Sequence, residues 1–131
     1  MVYGESTKIK NDLGITDASQ DTNITNWVLK ADDEVDNLLY DIASKSALLT
    51  ALPVLPLTTP PQSIKDASSD LAKEQYYAYI RDYDSAKFHR DAAEKAINQY
   101  VLRLRVDAEI YGTVVGDRPI GFTRDFLDTI P

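Results

Sequence analysis

The run Asp32-Asp33-Glu34, followed by Asp36, places four carboxylates within five positions. Clustered oxygen ligands are what hard cations select. Loop calcium sites, however, need a glycine-containing turn of defined spacing, whereas these acids lie on a helical stretch that points them in different directions. A solvated acidic face is expected, and no metal. His89 is the single histidine, set between Phe88 and Arg90. For general acid–base work it needs a pocket and an orienting partner, and for metal binding it needs further ligands; the sequence displays none of these. A di-iron bundle carries Glu-x-x-His on facing helices, but Ala86 stands where the glutamate belongs. No serine sits in a nucleophile motif, and GxGxxG and GxxxxGK[ST] are both missing. No catalytic residue and no cofactor is assigned. The remaining enzymatic reading would use the Asp-rich face with a borrowed metal.

Tyr76, Tyr77, Tyr79 and Tyr83 form a second concentration of chemistry. Tyrosine can bury its ring and keep its hydroxyl wet, so such a group either fills space between helices or anchors a protein partner.

The elements that must position these residues are read from periodicity. Residues 23–46 carry Ile24, Trp27, Val28, Ala31, Val35, Leu38, Leu39 and Ile42 on one helical face, with acids opposite. This helix must dock, and the rest of the chain is organised around it. Asp21 or Thr22 is the expected cap. Before it, Ser6 and Gly14 bracket a short helix over residues 7–13. After it, Pro53, Pro56, Pro60 and Pro61 forbid a helix or a central strand, and Leu48, Leu49, Leu52, Val54, Leu55 and Leu57 make the connector apolar. It either wraps across the core or presents a binding ridge. A second helix is expected over residues 62–83, with Ile64, Ala67, Ser68, Leu71, Ala72, Gln75 and Tyr79 as its stripe. A third, capped by Asp84 and Ser85, spans 86–111 with Ile97, Tyr100, Val101, Leu104, Ala108 and Tyr111 on one face. Residues 100–106 also alternate with period two, so a strand competes there. In the helical register Leu102 and Val106 fall off the main face and are available to a neighbouring subunit. Residues 112–131, broken by Gly112, Gly116, Pro119 and Gly121, are too few for a core of their own. They either fold back on the bundle or dock elsewhere as an arm.

With 131 residues and 44% hydrophobic content, one compact domain is expected. A formal net charge of −7 argues against affinity for nucleic acid, which requires a concentrated Lys/Arg surface. Cysteine is absent, which excludes disulfides and thiolate sites. No apolar run is long enough to span a membrane, and the N-terminus lacks a signal-peptide core, so a soluble, non-exported chain is expected.

The opening helix ended by Gly14, the phrase ITDASQDTNITNWVLKADDEVDNLL, the proline-rich connector leading to a helix with Tyr76-Tyr77, and a charged third helix resemble head-tail connector proteins of tailed viruses. These are the adaptor or head-completion proteins below the portal. The likeness is nearest to the Mu-like connector family, whose members often end in R-x-F-[ST]-R-D-x-L. Arg118, Phe122, Thr123, Arg124, Asp125 and Leu127 look like that ending, although Pro119, Ile120 and Gly121 separate the first arginine from the phenylalanine. The resemblance implies a homo-oligomeric ring bound to the portal protein above and to tail or stopper proteins below, in the virion neck, with the host cytoplasm as its location before assembly. DNA would pass through the ring without specific binding. Arg118, Phe122, Arg124, Phe126 and Leu127 would be the anchors of a partner-binding arm. Tyr76, Tyr77, Tyr83, Leu102 and Val106 would serve the subunit interface, and Asp32, Asp33 and Asp36 would face the lumen and repel DNA phosphates.

The expectation is thus a mainly α protein: a small bundle of three long helices plus a short N-terminal helix over residues 1–111, and an extended C-terminal arm over 112–131. Its expected role is that of a structural head-tail connector. A non-enzymatic regulatory protein–protein interaction module is the alternative.

Overall fold

The computed structural model describes residues 2–111, with side chains described as far as residue 107. Four helices follow one another: α1 (Ser6–Asp12), α2 (Asp21–Lys45), α3 (Gln62–Tyr79) and α4 (Tyr83–Tyr111). Among the described residues there is no strand, so the fold is the mainly α bundle expected. Residues 100–106, where alternation competes with helical spacing, lie within α4. The expected C-terminal arm, residues 112–131, lies outside the described residues.

The stripe of α2 is the spine of the core. Ile24, Val28, Ala31, Val35 and Leu39 are buried, and Trp27, Leu38 and Ile42 pack half-buried along its edges. Each fully buried valine, leucine or isoleucine among them contributes on the order of 1.5–3 kcal/mol through burial. α3 runs antiparallel to α2, since Trp27 meets Tyr76 and Tyr79 while Asp32 meets Ser68. It contributes Ile64, Ala67, Ser68, Leu71 and Ala72. α4 reverses again and adds Ala86, Ala93, Ile97 and Val101. Small residues on both sides let α3 and α4 approach closely, and theirs is the most extensive contact between helices.

All three loops begin with the same device. In each, the residue three past the last helical one sends its amide back to a carbonyl five residues earlier, and the residue before it sits in the left-handed region. After α1 the bonds are Ile15 to Lys10 and Gly14 to Asn11, with φ +72° at Gly14. After α2 they are Leu48 to Ala43 and Ala47 to Ser44, with φ +58° at Ala47. After α3 they are Asp82 to Tyr77 and Arg81 to Ala78, with φ +64° at Arg81. The second helix therefore stops at Tyr79, not Tyr83. The third starts at Tyr83, not Ala86, because Asp82 rather than Asp84 caps it, accepting from the amide of Ser85 at 3.2 Å and its hydroxyl at 2.8 Å. Neither Asp21 nor Thr22 caps α2; both lie inside its first turn, and Gln20 holds the cap position without a side-chain cap bond. Ser6 likewise lies within α1, behind Glu5.

The proline-rich connector wraps across the core, as one of its two expected readings has it, and leaves part of itself exposed. Leu57 is buried and Leu48, Leu52 and Leu55 pack on the core, while Val54 is 86% exposed beside exposed Pro53 and Pro56. Residues 2–5 precede α1 as an extended segment threaded between α2 and α3. Its backbone comes so close that a Cβ on Gly4 would lie 2.9 Å from Cγ1 of Val28 and 3.3 Å from Oγ of Ser68.

Candidate partner-binding surfaces

The acidic run divides between interior and surface. Asp32 lies four residues after Val28 and three before Val35, on the docking face, and is only 4% exposed. Its carboxylate accepts from the backbone amides of Val2, Tyr3 and Gly4 at 2.7, 3.3 and 3.1 Å, and from the hydroxyl of Ser68 at 2.7 Å. A buried carboxylate needs such partners. The expected lumen-facing position of Asp32 is thus corrected: it fastens the N-terminal segment to α2 and α3. Asp36, one turn on, is half-buried and accepts a 2.6 Å bond from the Tyr3 hydroxyl, which itself accepts from the Leu57 amide at 2.8 Å. Burial is the main cause that pushes the Tyr3 phenol well above its ordinary range, with the Asp36 bond adding to it. Burial likewise raises the Asp36 carboxyl, against the lowering effect of the Tyr3 bond. Asp33 alone of the three is exposed as expected.

His89 does have an orienting partner, which the sequence left unseen: its Nδ1 lies 2.9 Å from Oδ1 of Asp70 on α3. The ring is also stacked on Tyr77, with centroids 5.4 Å apart and planes 3° from parallel, and Phe88 meets its edge. Packed between α3 and α4 in this way, the pair ties the helices together. Next to it, Arg90 reaches Glu34 on α2 at 3.1 Å, Glu74 on α3 at 3.6 Å and Glu94 on its own helix at 2.8 Å. Burial raises Glu74, and the charge of Arg90 opposes that rise. An arginine fork shared among three carboxylates fixes the relative heights of the helices.

A cleft of about 550 Å³ lies elsewhere, between α1 and the start of α2, lined by Ser6, Thr7, Lys10, Asn11, Thr16 and Asp21 among others. Its two charges are spent on each other, since Lys10 Nζ is 2.8 Å from Asp21. Among the described residues no group of three or more His, Asp or Glu is placed to hold a metal ion, and no helix is long and apolar enough to cross a membrane.

What stands out on the surface is aromatic. At the α3–α4 corner Trp27 packs against Tyr76 and Tyr79 with ring centroids 5.9 and 5.5 Å apart, and Tyr76 continues to Tyr77 at 5.2 Å. Tyr79, Tyr83 and Phe88 are 59%, 65% and 68% exposed. Tyr79, expected on the buried stripe, does meet Trp27 on α2, but as the last residue of α3 it is left exposed. Of the expected interface residues, Tyr76 and Tyr77 are half-buried, whereas Tyr83, Leu102 and Val106 are exposed. The five do not form one patch. α2 and α4 run in the same direction and are level at the Glu34–Arg90 pair. Equal steps along each from that pair reach Ser46 and Leu102, so Leu102 and Val106 sit at the connector end. The tyrosines sit at the opposite end. The arm anchors Arg118, Phe122, Arg124, Phe126 and Leu127 lie outside the described residues. No family model matches the chain, and no curated protein or solved structure shows significant similarity to it.

Proposed function

We propose that this protein is a structural component of a tailed virus, a head-tail connector that joins the capsid portal to the tail as one copy of a ring. The observation that carries the reading is the exposed aromatic surface at the turn from α3 to α4, where Tyr79 packs on Trp27, Phe88 meets His89, and Tyr79, Tyr83 and Phe88 all stand exposed. Exposed aromatic anchors on a small bundle are the surface expected of a protein whose work is adhesion. The chemistry the chain could otherwise offer is engaged internally: Asp32 by backbone amides, His89 by Asp70, Lys10 by Asp21. Its net charge of −7 and the exposed Asp33 suit a neck protein past which DNA must slide without sticking. The likeness of residues 24–39 and 122–127 to Mu-like connectors supplies the partners: a portal protein on one side and tail or stopper proteins on the other.

The test is an affinity pull-down of the tagged full chain from its native source, with retained proteins identified by mass spectrometry. Recovery of a portal-like protein with tail components is the expected result. Recovery of a single soluble regulatory partner, with no particle proteins, overturns it in favour of an interaction module.

A further inference from the structure

Asp32 is a buried charge without a counter-charge. Its four donors, the amides of Val2, Tyr3 and Gly4 and the hydroxyl of Ser68, are all neutral. None of the ion pairs among the described residues includes it, and Asp36, one turn on, adds charge of the same sign. Neutral donors satisfy the lone pairs of a buried carboxylate but leave its charge unopposed, which is costly unless a cation faces it. The bonds are also unevenly shared. Oδ1 accepts from Tyr3, Gly4 and Ser68, whereas Oδ2 accepts only from the Val2 nitrogen, at 2.7 Å. That nitrogen opens the threaded segment, and the Val2 side chain is 49% exposed, so the segment enters the seam from the surface at this residue.

We infer that the Met1–Val2 bond is a processing site, hydrolysed by an aminopeptidase that takes methionine ahead of a small residue, and that the α-ammonium group so formed on Val2 closes an ion pair with the buried Asp32 carboxylate. Water gives its oxygen to the Met1 carbonyl carbon as the bond to the Val2 nitrogen breaks. Its two protons join the one already on that nitrogen, so methionine leaves as a carboxylate and Val2 ends as an ammonium. The nitrogen need not move. The atom that donates to Oδ2 as an amide donates to it as an ammonium, in a charge-assisted bond roughly twice as strong as the neutral one. Cleavage precedes threading, since the Val2 nitrogen is afterwards bonded at the seam. The inference rests on the seating of residues 2–4 and is independent of any role in a particle.

The first test is the intact mass and N-terminal sequence of the full chain from its native source, which should begin at Val2. A chain that keeps Met1, extends before it or is acetylated on Val2 overturns the inference. The second is the reactivity of the new amine towards an acetylating ester at neutral pH, read by peptide mass mapping. Paired with Asp32, the Val2 amine should label about tenfold or more slowly in the native protein than in denaturant, whereas exposed Lys45 and Lys87 should label nearly alike in both. Equal labelling of Val2 in the two states overturns the ion pair. The third uses two replacements of the exposed Val2 side chain. Val2→Ala lets methionine leave, and Val2→Leu, with its larger side chain, keeps it. Val2→Leu should unfold at a lower denaturant midpoint than Val2→Ala, by a shift equivalent to about tenfold in the folding equilibrium, and the gap should close when each also carries Asp32→Asn. A Val2→Leu protein as stable as Val2→Ala, or a gap that survives Asp32→Asn, likewise overturns the ion pair.

Discussion

The hydroxyl of Tyr3 donates a 2.6 Å hydrogen bond to Asp36 and at the same time accepts one of 2.8 Å from the buried amide of Leu57. One phenol thereby joins the N-terminal segment, α2 and the connector. Tyr3→Phe keeps the ring and removes both bonds, leaving the Leu57 amide without its acceptor. A loss of about 2–3 kcal/mol is expected, read as a lower denaturant midpoint with an unchanged slope.

Asp32 and Asp33 are neighbours with opposite fates. Asp32→Ala strands three backbone amides and the Ser68 hydroxyl, and is expected to cost about 3 kcal/mol or more. Asp33→Ala, at an exposed position, should change stability by no more than ~0.5 kcal/mol. Equal effects from the two substitutions in thermal or denaturant unfolding would contradict the placement of Asp32.

The Asp36 carboxyl is held above the ordinary aspartate value of 3.8 first by burial, with Asp32 and Asp33 adding to the rise and the Tyr3 bond opposing it. The native state therefore binds this proton more tightly than the unfolded chain does. The contribution of Asp36 to stability is least favourable at neutral pH, and the penalty disappears as pH falls through the raised value towards the unfolded one. Asp36→Asn keeps an acceptor for Tyr3 and carries no charge. Its denaturant midpoint should exceed that of the wild type at neutral pH, and the difference should vanish in acid.

Arg81 turns the chain from α3 to α4 at φ +64°. A side chain in the left-handed region costs about 1–2 kcal/mol, part of which glycine returns as extra freedom of the unfolded chain. Arg81→Gly should therefore stabilise the protein by a few tenths to ~1 kcal/mol in denaturant unfolding. The same change at exposed residues inside α4 should destabilise it by about 1 kcal/mol.

That turn also marks the boundary of what could be read from the sequence. The stripes of α2 and α3 were legible because 3.6-residue spacing puts Val28, Val35 and Leu39, or Ile64 and Leu71, on one side whatever they pack against. Helix ends were less evenly legible: α2 stops within a residue of the expected Ser46, but the end of α3 was not marked. Gly14, Ala47 and Arg81 do the same backbone work, but only Gly14 is of the type that expects it, which is why the second helix was drawn too long. The N-terminal segment was not legible as an element, since its bonds to Asp32 cross 28 to 30 residues and that between Asp32 and Ser68 crosses 36. One signal was present: by spacing alone, Asp32 shares a face with Val28 and Val35. A carboxylate there must be matched by donors from elsewhere. Similarly, the bond between His89 and Asp70 depends on how α3 and α4 line up, which no single helix encodes.

The threading of residues 2–4 has a consequence for the order of events in the cell. The Tyr3 hydroxyl waits for Leu57, made 54 residues later, and Gly4 lies against Ser68, which follows later still. The earliest of these residues to be synthesised are thus among the last to find their partners. Until α3 has left the ribosome, Asp32 can take its three donors from the opening segment but lacks the Ser68 hydroxyl, and that side of α2 is uncovered. The seam closes behind the helices, so completion of the bundle is registered at its first few residues.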